Sequence, residues 1–234
     1  DLLSEHGQTA TFFIAGEIYD WYPALIEEIA RRGHEVGYHT HHHTRLTRPG
    51  ILEEELARSK RFLEDFHPVG FRAPMIFLQE DDVDVLRRSS FRYSSSTYDR
   101  REVFRSRGID EIPISTFGYR RPAPDPDRLP KNLTPRMLLR EFPYGGAIVL
   151  PILGALTSWF IERGNRRGRS SSIYVHPWQL FRTPEIDSFA FKARLLACNP
   201  LCLPYSRSAL GTFQSLLRRH EFASIEAVHG SRWR

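Results

Sequence analysis

Four histidines lie within five residues just after a predicted strand, in the segment Gly37-Tyr38-His39-Thr40-His41-His42-His43-Thr44. His39 and His43 are four positions apart, so a single turn of chain at the strand end can point both imidazoles at one cation. Imidazole nitrogen is a preferred ligand of zinc. The spacing therefore predicts a metal site formed by His39 and His43, with His41 and His42 pointing elsewhere. A solvated histidine-rich loop is the alternative.

Two more polar residues follow predicted strands in the same manner. Arg72 lies in Phe71-Arg72-Ala73-Pro74, and His176 lies in Ile173-Tyr174-Val175-His176-Pro177-Trp178. Each residue taken alone is ordinary, because an arginine usually serves as an ion-pair partner and a lone histidine is usually structural. Folds of the α/β class collect active residues on the loops that follow strands. Arg72 and His176 are therefore predicted to share one rim with His39 and His43.

The elements that would position this rim alternate between β-rich runs and amphipathic stretches. Strands are predicted at 11–14, 35–39, 70–72, 91–95, 111–114, 172–176 and 224–228. Helices are predicted at 23–32, from about 51 to 66, and near 82–89, 151–163 and 208–220. Such alternation implies an α/β fold of parallel strands with helical crossovers, either a barrel or an open sheet. The proline-rich segment 118–135 is predicted to be an exposed loop.

Length and charge favour one α/β domain over residues 1–234 with no nucleic-acid partner. The chain has 234 residues, of which 41% are hydrophobic, enough for one substantial core. The net charge of +5 comes from arginines that are mixed with 28 acidic residues along the sequence. This mixing predicts a solvated surface without a basic stripe. Oligomeric state stays open.

The cysteines and apolar runs exclude further classes. Cys198 and Cys202 match neither a CxxC redox motif nor a four-ligand zinc site, so both are predicted to be buried apolar residues. The longest apolar run, 147–156, is interrupted by Pro151 and Gly154 and is shorter than the ~20 residues of a membrane span. No span is predicted, and cytoplasmic and cell-envelope locations both stay open.

Four motifs resemble those of the polysaccharide deacetylase family, the NodB-homology domain of carbohydrate esterase family four. The run 10–14, ATFFI, looks like that family's ATFF strand, and 33–43, GHEVGYHTHHH, looks like its GHEVGxHTxxH metal motif. FRAP at 71–74 is similar to the arginine motif, and YVHPW at 174–178 to the late histidine motif. FRAP, RYSSS at 92–96 and HPW resemble the exopolysaccharide-associated bacterial branch.

The resemblance implies a distorted (β/α) barrel of about seven strands that binds a divalent metal, usually zinc, and removes N-acetyl groups from a polysaccharide or glycan. In such an enzyme two histidines and one aspartate hold the metal. Carried onto matching positions, His39 and His43 are metal ligands and His176 is the general acid. Arg72 would orient the catalytic base, and the backbone N–H of Met75 would stabilise the oxyanion.

Two departures from the family pattern bear on activity. The family's first motif, a TFDD-type strand, supplies the base and the carboxylate ligand and precedes the ATFF strand by more than the nine residues available here, 1–9. We therefore expect this chain to lack both aspartates and the first strand of the barrel, which would expose two sheet edges, weaken metal binding and leave little activity. Relatives also commonly carry aspartate where this chain has Ser94, a loss expected to weaken the tuning of His176.

Glu17 is the nearest acidic residue on the predicted rim, just past the strand at 11–14. It is a weak candidate for the missing ligand, and a solvent-facing loop residue is the simpler interpretation.

Two other functions compete with the deacetylase. One is a non-catalytic glycan-binding relative that keeps the groove without the base, and the other is an amidase for small cyclic amides, an activity known on the same fold. An Asp-Asp pair encoded upstream of Asp1 would favour the enzyme, and a true start near Asp1 would favour the binding protein. Acetate release by a chain extended upstream, compared with this chain, tests the same point.

Overall fold

The protein, seen as a computed structural model that describes residues 2–121, 127–198, 204 and 206–233, is built from short strands and surrounding helices. The strands in chain order are β1 (Thr11–Ile14), β2 (Glu35–Tyr38), β3 (Gly70–Phe71), β4 (Tyr93–Ser94), β5 (Tyr98–Asp99), β6 (Phe104–Ser106), β7 (Ile109–Glu111), β8 (Ile114–Ser115), β9 (Phe117–Gly118) and β10 (Glu141–Phe142). The helices are α1 (Gly16–Trp21), α2 (Pro23–Arg31), α3 (Ile51–Arg58), α4 (Lys60–Phe66), α5 (Glu80–Arg88), α6 (Pro135–Leu138), α7 (Leu150–Asn165), α8 (Pro177–Leu180), α9 (Pro184–Asp187), α10 (Phe189–Cys198), α11 (Leu210–Arg219) and α12 (Ile225–His229).

The main sheet has six strands in the order β1-β2-β3-β4-β7-β6. Strands β1, β2, β3, β4 and β7 are parallel neighbours, and β6 returns antiparallel to β7. A second parallel pair, β5 with β8, follows β4 and β7 along the chain. Since the carboxyl ends of parallel strands meet at one edge, residues 39, 72 and 95 come together there. The predicted α/β class with parallel strands is confirmed.

Apolar faces of the surrounding helices fix the back of this sheet. Ile26 of α2, Leu52 of α3 and Leu86 of α5 are fully buried against Tyr38 and Phe71 of the sheet. Removing each such side chain from water contributes roughly 1.5–3 kcal/mol. The strand ends that carry the rim therefore rest on a densely packed platform.

A separate apolar cluster supports the later part of the chain. Leu150 and Phe160 of α7 pack with Tyr144 and with Leu216 of α11, and Phe160 lies 5.0 Å from the Tyr144 ring in a stacked arrangement. Ile173 and Val175 pack against this cluster from the segment that leads to residue 176. The cluster therefore positions the chain segment that leads to His176.

Two predicted strands have a different structure. The residues at 224–228 form α12 instead of a strand, because the Ser224 side chain accepts a hydrogen bond from the N–H of Ala227 and caps the helix. The segment 172–176 forms no regular strand. Two backbone hydrogen bonds still attach this segment to the rest of the protein. The carbonyl oxygen of Ser172 accepts from the N–H of Ser115, and the N–H of Tyr174 donates to the carbonyl oxygen of Gly145.

The β1 edge of the sheet is partly covered rather than exposed as expected. All four of its residues are half-buried, and the backbone N–H groups of Ser224 and Ile225 donate to the hydroxyls of Thr9 and Thr11. Cys198 ends α10, whereas Cys202 and residues 122–126 of the predicted loop lie outside the described residues. Across the described part of the chain, every helix is too short or too polar to cross a bilayer.

Candidate functional site

His39 and His43 face each other at the end of β2. Their ring centroids lie 4.8 Å apart with the ring planes at 70°. The loop between them does not form a helical turn; Thr40 and His43 adopt left-handed φ angles of 60° and 56°. Such a backbone costs free energy for residues with a Cβ and is typical of functional loops. The strained turn brings the two imidazoles to one place.

The tautomer of His39 is fixed by the residue that follows β3. Its Nδ1 lies 2.7 Å from the carbonyl oxygen of Arg72. A carbonyl only accepts hydrogen bonds, so Nδ1 carries the hydrogen and Nε2 presents its lone pair. Burial, aided by the nearby charges of His43 and Arg72, lowers the pKa of His39 to about 3. The ring is thus neutral at pH 7, with a lone pair ready for a cation.

His176 reaches the same rim as the N-cap of α8. Its backbone N–H donates to Oε1 of Gln179, and its ring stacks on Trp178 at 4.1 Å and 7°. Burial, with smaller electrostatic contributions from the nearby Arg72 and His43, lowers its pKa to about 4. His43 lowers the pKa of His176, and His176 lowers that of His39, so the three rings lie within electrostatic range of one another.

Arg72 is buried between the sheet and the segment that carries His176. Its Nε donates to the Ser95 carbonyl at 2.8 Å and its Nη2 to the Ser95 hydroxyl at 2.7 Å. The guanidinium carbon lies 4.4 Å from the ring centroid of Phe13 and 5.2 Å from that of Tyr174. Two hydrogen bonds and two aromatic faces hold the planar group in one orientation, which a lysine cannot reproduce.

A carboxylate that the sequence analysis missed lies beneath Arg72. Glu111 of β7 is 2% exposed and pairs in register with Ser94 of β4. Its Oε1 accepts the N–H of Ser96 at 2.6 Å and the hydroxyl of Thr97 at 2.9 Å. Burial raises the pKa of Glu111, while these donors and Arg72 lower it. A buried carboxylate thus lies beside Ser94 on the neighbouring strand, while the expected effect of Ser94 on His176 stays a prediction.

His41 and His42 point away from the pair, as predicted. The Nδ1 of His41 lies 3.0 Å from the hydroxyl of Ser59, the residue at which the predicted helix 51–66 breaks into α3 and α4. The backbone N–H groups of His41 and His42 both donate to Oε2 of the buried Glu55 at 2.8 Å. Glu55 and Ser59 thus shape the histidine loop from behind, and an acidic residue within an apolar helix face was the one sequence signal.

Replacing Glu55 with alanine is expected to lower the free energy of unfolding by at least about 2 kcal/mol. The buried N–H of His41 and the part-buried N–H of His42 would lose their acceptor, and losing the acceptor of a buried donor costs ~1–3 kcal/mol. Glu55→Gln keeps one acceptor oxygen and should lose less. Chemical denaturation of the three proteins measures the difference. Equal stability would show that the loop does not depend on this carboxylate.

The remaining predicted residues lie beside the rim. Met75 follows the Arg-Ala-Pro turn with φ 56°, and its side chain is 65% exposed. Its backbone therefore turns sharply near Arg72, while its oxyanion role stays a prediction. Glu17 is near enough to His43 to raise the pKa of that histidine, although burial lowers it more.

The two imidazoles fit a divalent cation as one part of a ligand set. Both rings have lowered pKa values and are neutral at pH 7, and the Nδ1 bond of His39 is the outer-sphere contact that metal-binding histidines use. Within the described residues no group of three His, Cys, Asp or Glu side chains surrounds one point. Zinc sites usually have three or four protein ligands. His39 and His43 would thus supply the nitrogen donors of a site that needs further oxygen ligands.

Comparison with known proteins shows sequence similarity over the part of the chain that contains this site. The sequence profile of the family described as Polysaccharide deacetylase matches residues 1–94, which include β1, the histidine loop and Arg72. A peptidoglycan-N-acetylglucosamine deacetylase of Bacillus cereus is 33% identical over 78 residues, which are 32% of this chain and 37% of that protein. A chitooligosaccharide deacetylase of a Bradyrhizobium species is 29% identical over 128 residues, 52% of this chain and 58% of that protein. The chain therefore spans well under two thirds of these relatives.

Solved structures share the fold over almost the whole chain. A protein assigned as a polysaccharide deacetylase from Pseudomonas aeruginosa PAO1 has a TM-score of 0.56 at 13% identity, covering 97% of this chain and 68% of its own. The PuuE allantoinase gives 0.55 at 14% identity, with 99% and 69% covered. A Mycobacterium smegmatis protein assigned as a polysaccharide deacetylase gives 0.51 at 19% identity, with 93% and 74% covered. The chain is thus similar to the polysaccharide deacetylase family over residues 1–94, and it shares its fold with these solved structures over most of its length.

Proposed function

We propose that the protein removes N-acetyl groups from a glycan, with His39 and His43 as ligands of a divalent cation, most simply zinc. The observation that carries the proposal is the convergence of His39, His43 and His176 beside the immobilised Arg72. Two curated relatives named as deacetylases of peptidoglycan N-acetylglucosamine and of chitooligosaccharide support the substrate class.

A divalent cation at His39 and His43 would supply Lewis acidity toward the acetyl carbonyl. The chain's own residues perform the other tasks. The Arg72 carbonyl keeps the hydrogen on Nδ1 of His39, so that Nε2 stays available. The backbone N–H of Met75, placed just after Arg72, is the proposed donor to the oxyanion that forms from the carbonyl.

His176 is the proposed proton donor to the leaving amine. With a pKa of about 4 it is neutral before the reaction, so it must take up a proton before it can donate one. Negative charge that develops on the substrate would raise this pKa, because an opposite charge nearby favours the imidazolium. The histidine would thus become charged only when the acid is needed, and its stacking on Trp178 keeps the ring in place.

Arg72 is the proposed orienting group for the carboxylate base that the family uses. The Arg72 guanidinium donates two hydrogen bonds to Ser95. The next residue, Ser96, donates its backbone N–H to Glu111. No carboxylate forms an ion pair with Arg72 within the described part of the chain. The guanidinium is therefore available to a carboxylate in the reacting complex.

The test is acetate release from N-acetylglucosamine oligomers by the native protein, taken as the chain extended upstream of Asp1, measured after chelation and again after zinc is restored. We expect release that stops on chelation and returns with zinc. Oligomer binding without acetate release would instead support a non-catalytic glycan-binding protein. Turnover of cyclic ureides in place of the oligomers would support an amidase.

A further inference from the structure

A second concave site lies where α7 ends, away from the histidine rim. Its lining combines hydroxyl groups and aromatic rings with six charged residues, Arg100, Arg101, Glu102, Arg163, Arg167 and Arg169. The cavity volume is ≈ 40 Å³. This is room for a few water molecules, and hence for one small polar group rather than a whole sugar.

The lining carries an excess of positive charge. Arg100 and Arg101 are paired with carboxylates, Arg100 with Glu141 at 3.0 Å and Arg101 with Asp99 at 2.8 Å. Arg163, Arg167 and Arg169 form no ion pair within the described residues.

The carboxylate in the lining itself, Glu102, accepts the hydroxyl of Ser170 at 2.6 Å. Three unpaired cations therefore face one carboxylate that is already engaged, which leaves the cavity electropositive.

Within the described residues, Arg163 carries a buried hydrogen-bond donor without an acceptor, which is a second indication of a binding site. Its Nε is buried and forms no hydrogen bond in the described part of the molecule. Its guanidinium carbon is 5.5 Å from the ring centroid of Trp159 and 5.8 Å from that of Phe117, so aromatic rings hold the side chain in place. Leaving a charged donor buried without an acceptor costs free energy, which a bound anion would recover.

Helix stabilisation explains part of this cluster but not all of it. Basic residues near the end of a helix interact favourably with its dipole, and Arg163 lies in the last turn of α7. The following turn bends back through Gly168 at φ 66°, with the N–H of Arg169 donating to Gly164 O. The dipole accounts for positive charge at this position, but it leaves the buried Nε without an acceptor.

We infer that this cavity binds an oxyanion substituent, a carboxylate or a phosphate, on an acidic glycan. Guanidinium groups bind both anions through paired N–H donors. Resting on the proposed function, the inference narrows its substrate class to glycans that carry negative charge. Ser170 in the lining and His176 on the rim are six positions apart in the sequence, so their Cα atoms are at most roughly 20 Å apart. One glycan chain can therefore reach both places.

The experiment measures binding by isothermal titration calorimetry with two tetrasaccharides and one small anion. The hyaluronan tetrasaccharide alternates glucuronate with N-acetylglucosamine, chitotetraose is its neutral counterpart, and inorganic phosphate is the free oxyanion. We expect the native protein to bind the acidic tetrasaccharide about tenfold more tightly than the neutral one, and Arg163→Gln to remove that preference. Arg163→Lys keeps the positive charge but lacks the paired N–H donors of a guanidinium, so it should retain part of the preference for the acidic tetrasaccharide.

Arg166→Gln is the matched control, since Arg166 is an exposed neighbour outside the lining. If Arg166→Gln lost the preference for the acidic tetrasaccharide to the same extent, general charge attraction would explain the binding and the inference would be overturned. Equal affinity of the native protein for the two tetrasaccharides would also overturn it, as would phosphate binding without preference for the acidic glycan. Competition between phosphate and the acidic tetrasaccharide supports it. Binding does not require acetate release, so a protein that shows this preference without turnover would refute only the deacetylase.

Discussion

Replacing His176 with asparagine is expected to lower acetate release by ~10²- to 10⁴-fold, the usual cost of losing a general acid or base. Asparagine removes the titrating ring, while the backbone N–H at this position can still donate to Gln179. The fall should appear in kcat more than in KM, because the proton is transferred in the transition state and not in binding. Steady-state acetate release from N-acetylglucosamine oligomers measures both constants.

His42→Asn is the matched control for this experiment. His42 is also a histidine of the rim region, but its backbone binds Glu55 and its ring lies 4.3 Å from that of His41, away from the reacting groups. Its turnover should match that of the native protein. If His176→Asn kept native kcat, the proton would have to come from another group and the assigned role of His176 would be wrong.

Zinc affinity is expected to fall by more than about 100-fold when His39 is replaced by asparagine. Loss of an outer-sphere partner alone costs 10- to 100-fold in metal affinity, and His39 is a proposed direct ligand. Its lone pair is also the better prepared of the two, because the Arg72 carbonyl fixes its tautomer. Calorimetric titration with zinc, after chelator treatment of each protein, gives the dissociation constants.

The same titration on His43→Asn and His42→Asn separates the pair from the rest of the histidine loop. The change at position 43 should lower affinity to a similar extent, whereas the change at 42 should leave it within about twofold, since that ring does not face the pair. Equal losses for all three variants would indicate a loosely chelating histidine cluster. That result would contradict a site made by His39 and His43.

The rim could be predicted from sequence because each of its residues follows a β-rich run. His39 follows β2 and Arg72 follows β3. Because these neighbouring strands are parallel, both residues lie at the same edge of the sheet, within hydrogen-bond distance of each other. His176 follows an extended segment instead of a strand, yet backbone bonds to Ser115 and Gly145 hold that segment at the rim. A strand-end pattern therefore identified positions even where the strand itself was irregular.

The surroundings of the rim were not predictable in the same way. Glu55 supports the histidine loop from 13 and 14 residues away, and Glu111 bonds to Ser96 from the next strand. No local spacing encodes such contacts, because they depend on how α3 and β7 pack against the sheet. The misassigned segment 224–228 shows the opposite case, in which a local cap at Ser224 outweighed its β-branched residues.

Anomalous scattering at the zinc edge, recorded from crystals of the native protein grown with zinc, tests the central claim most directly. The predicted result is one strong peak at ~2.0–2.1 Å from both Nε2 of His39 and a ring nitrogen of His43, the bond length of zinc to imidazole. A peak between His41 and His42, or one that touches neither His39 nor His43, would contradict it.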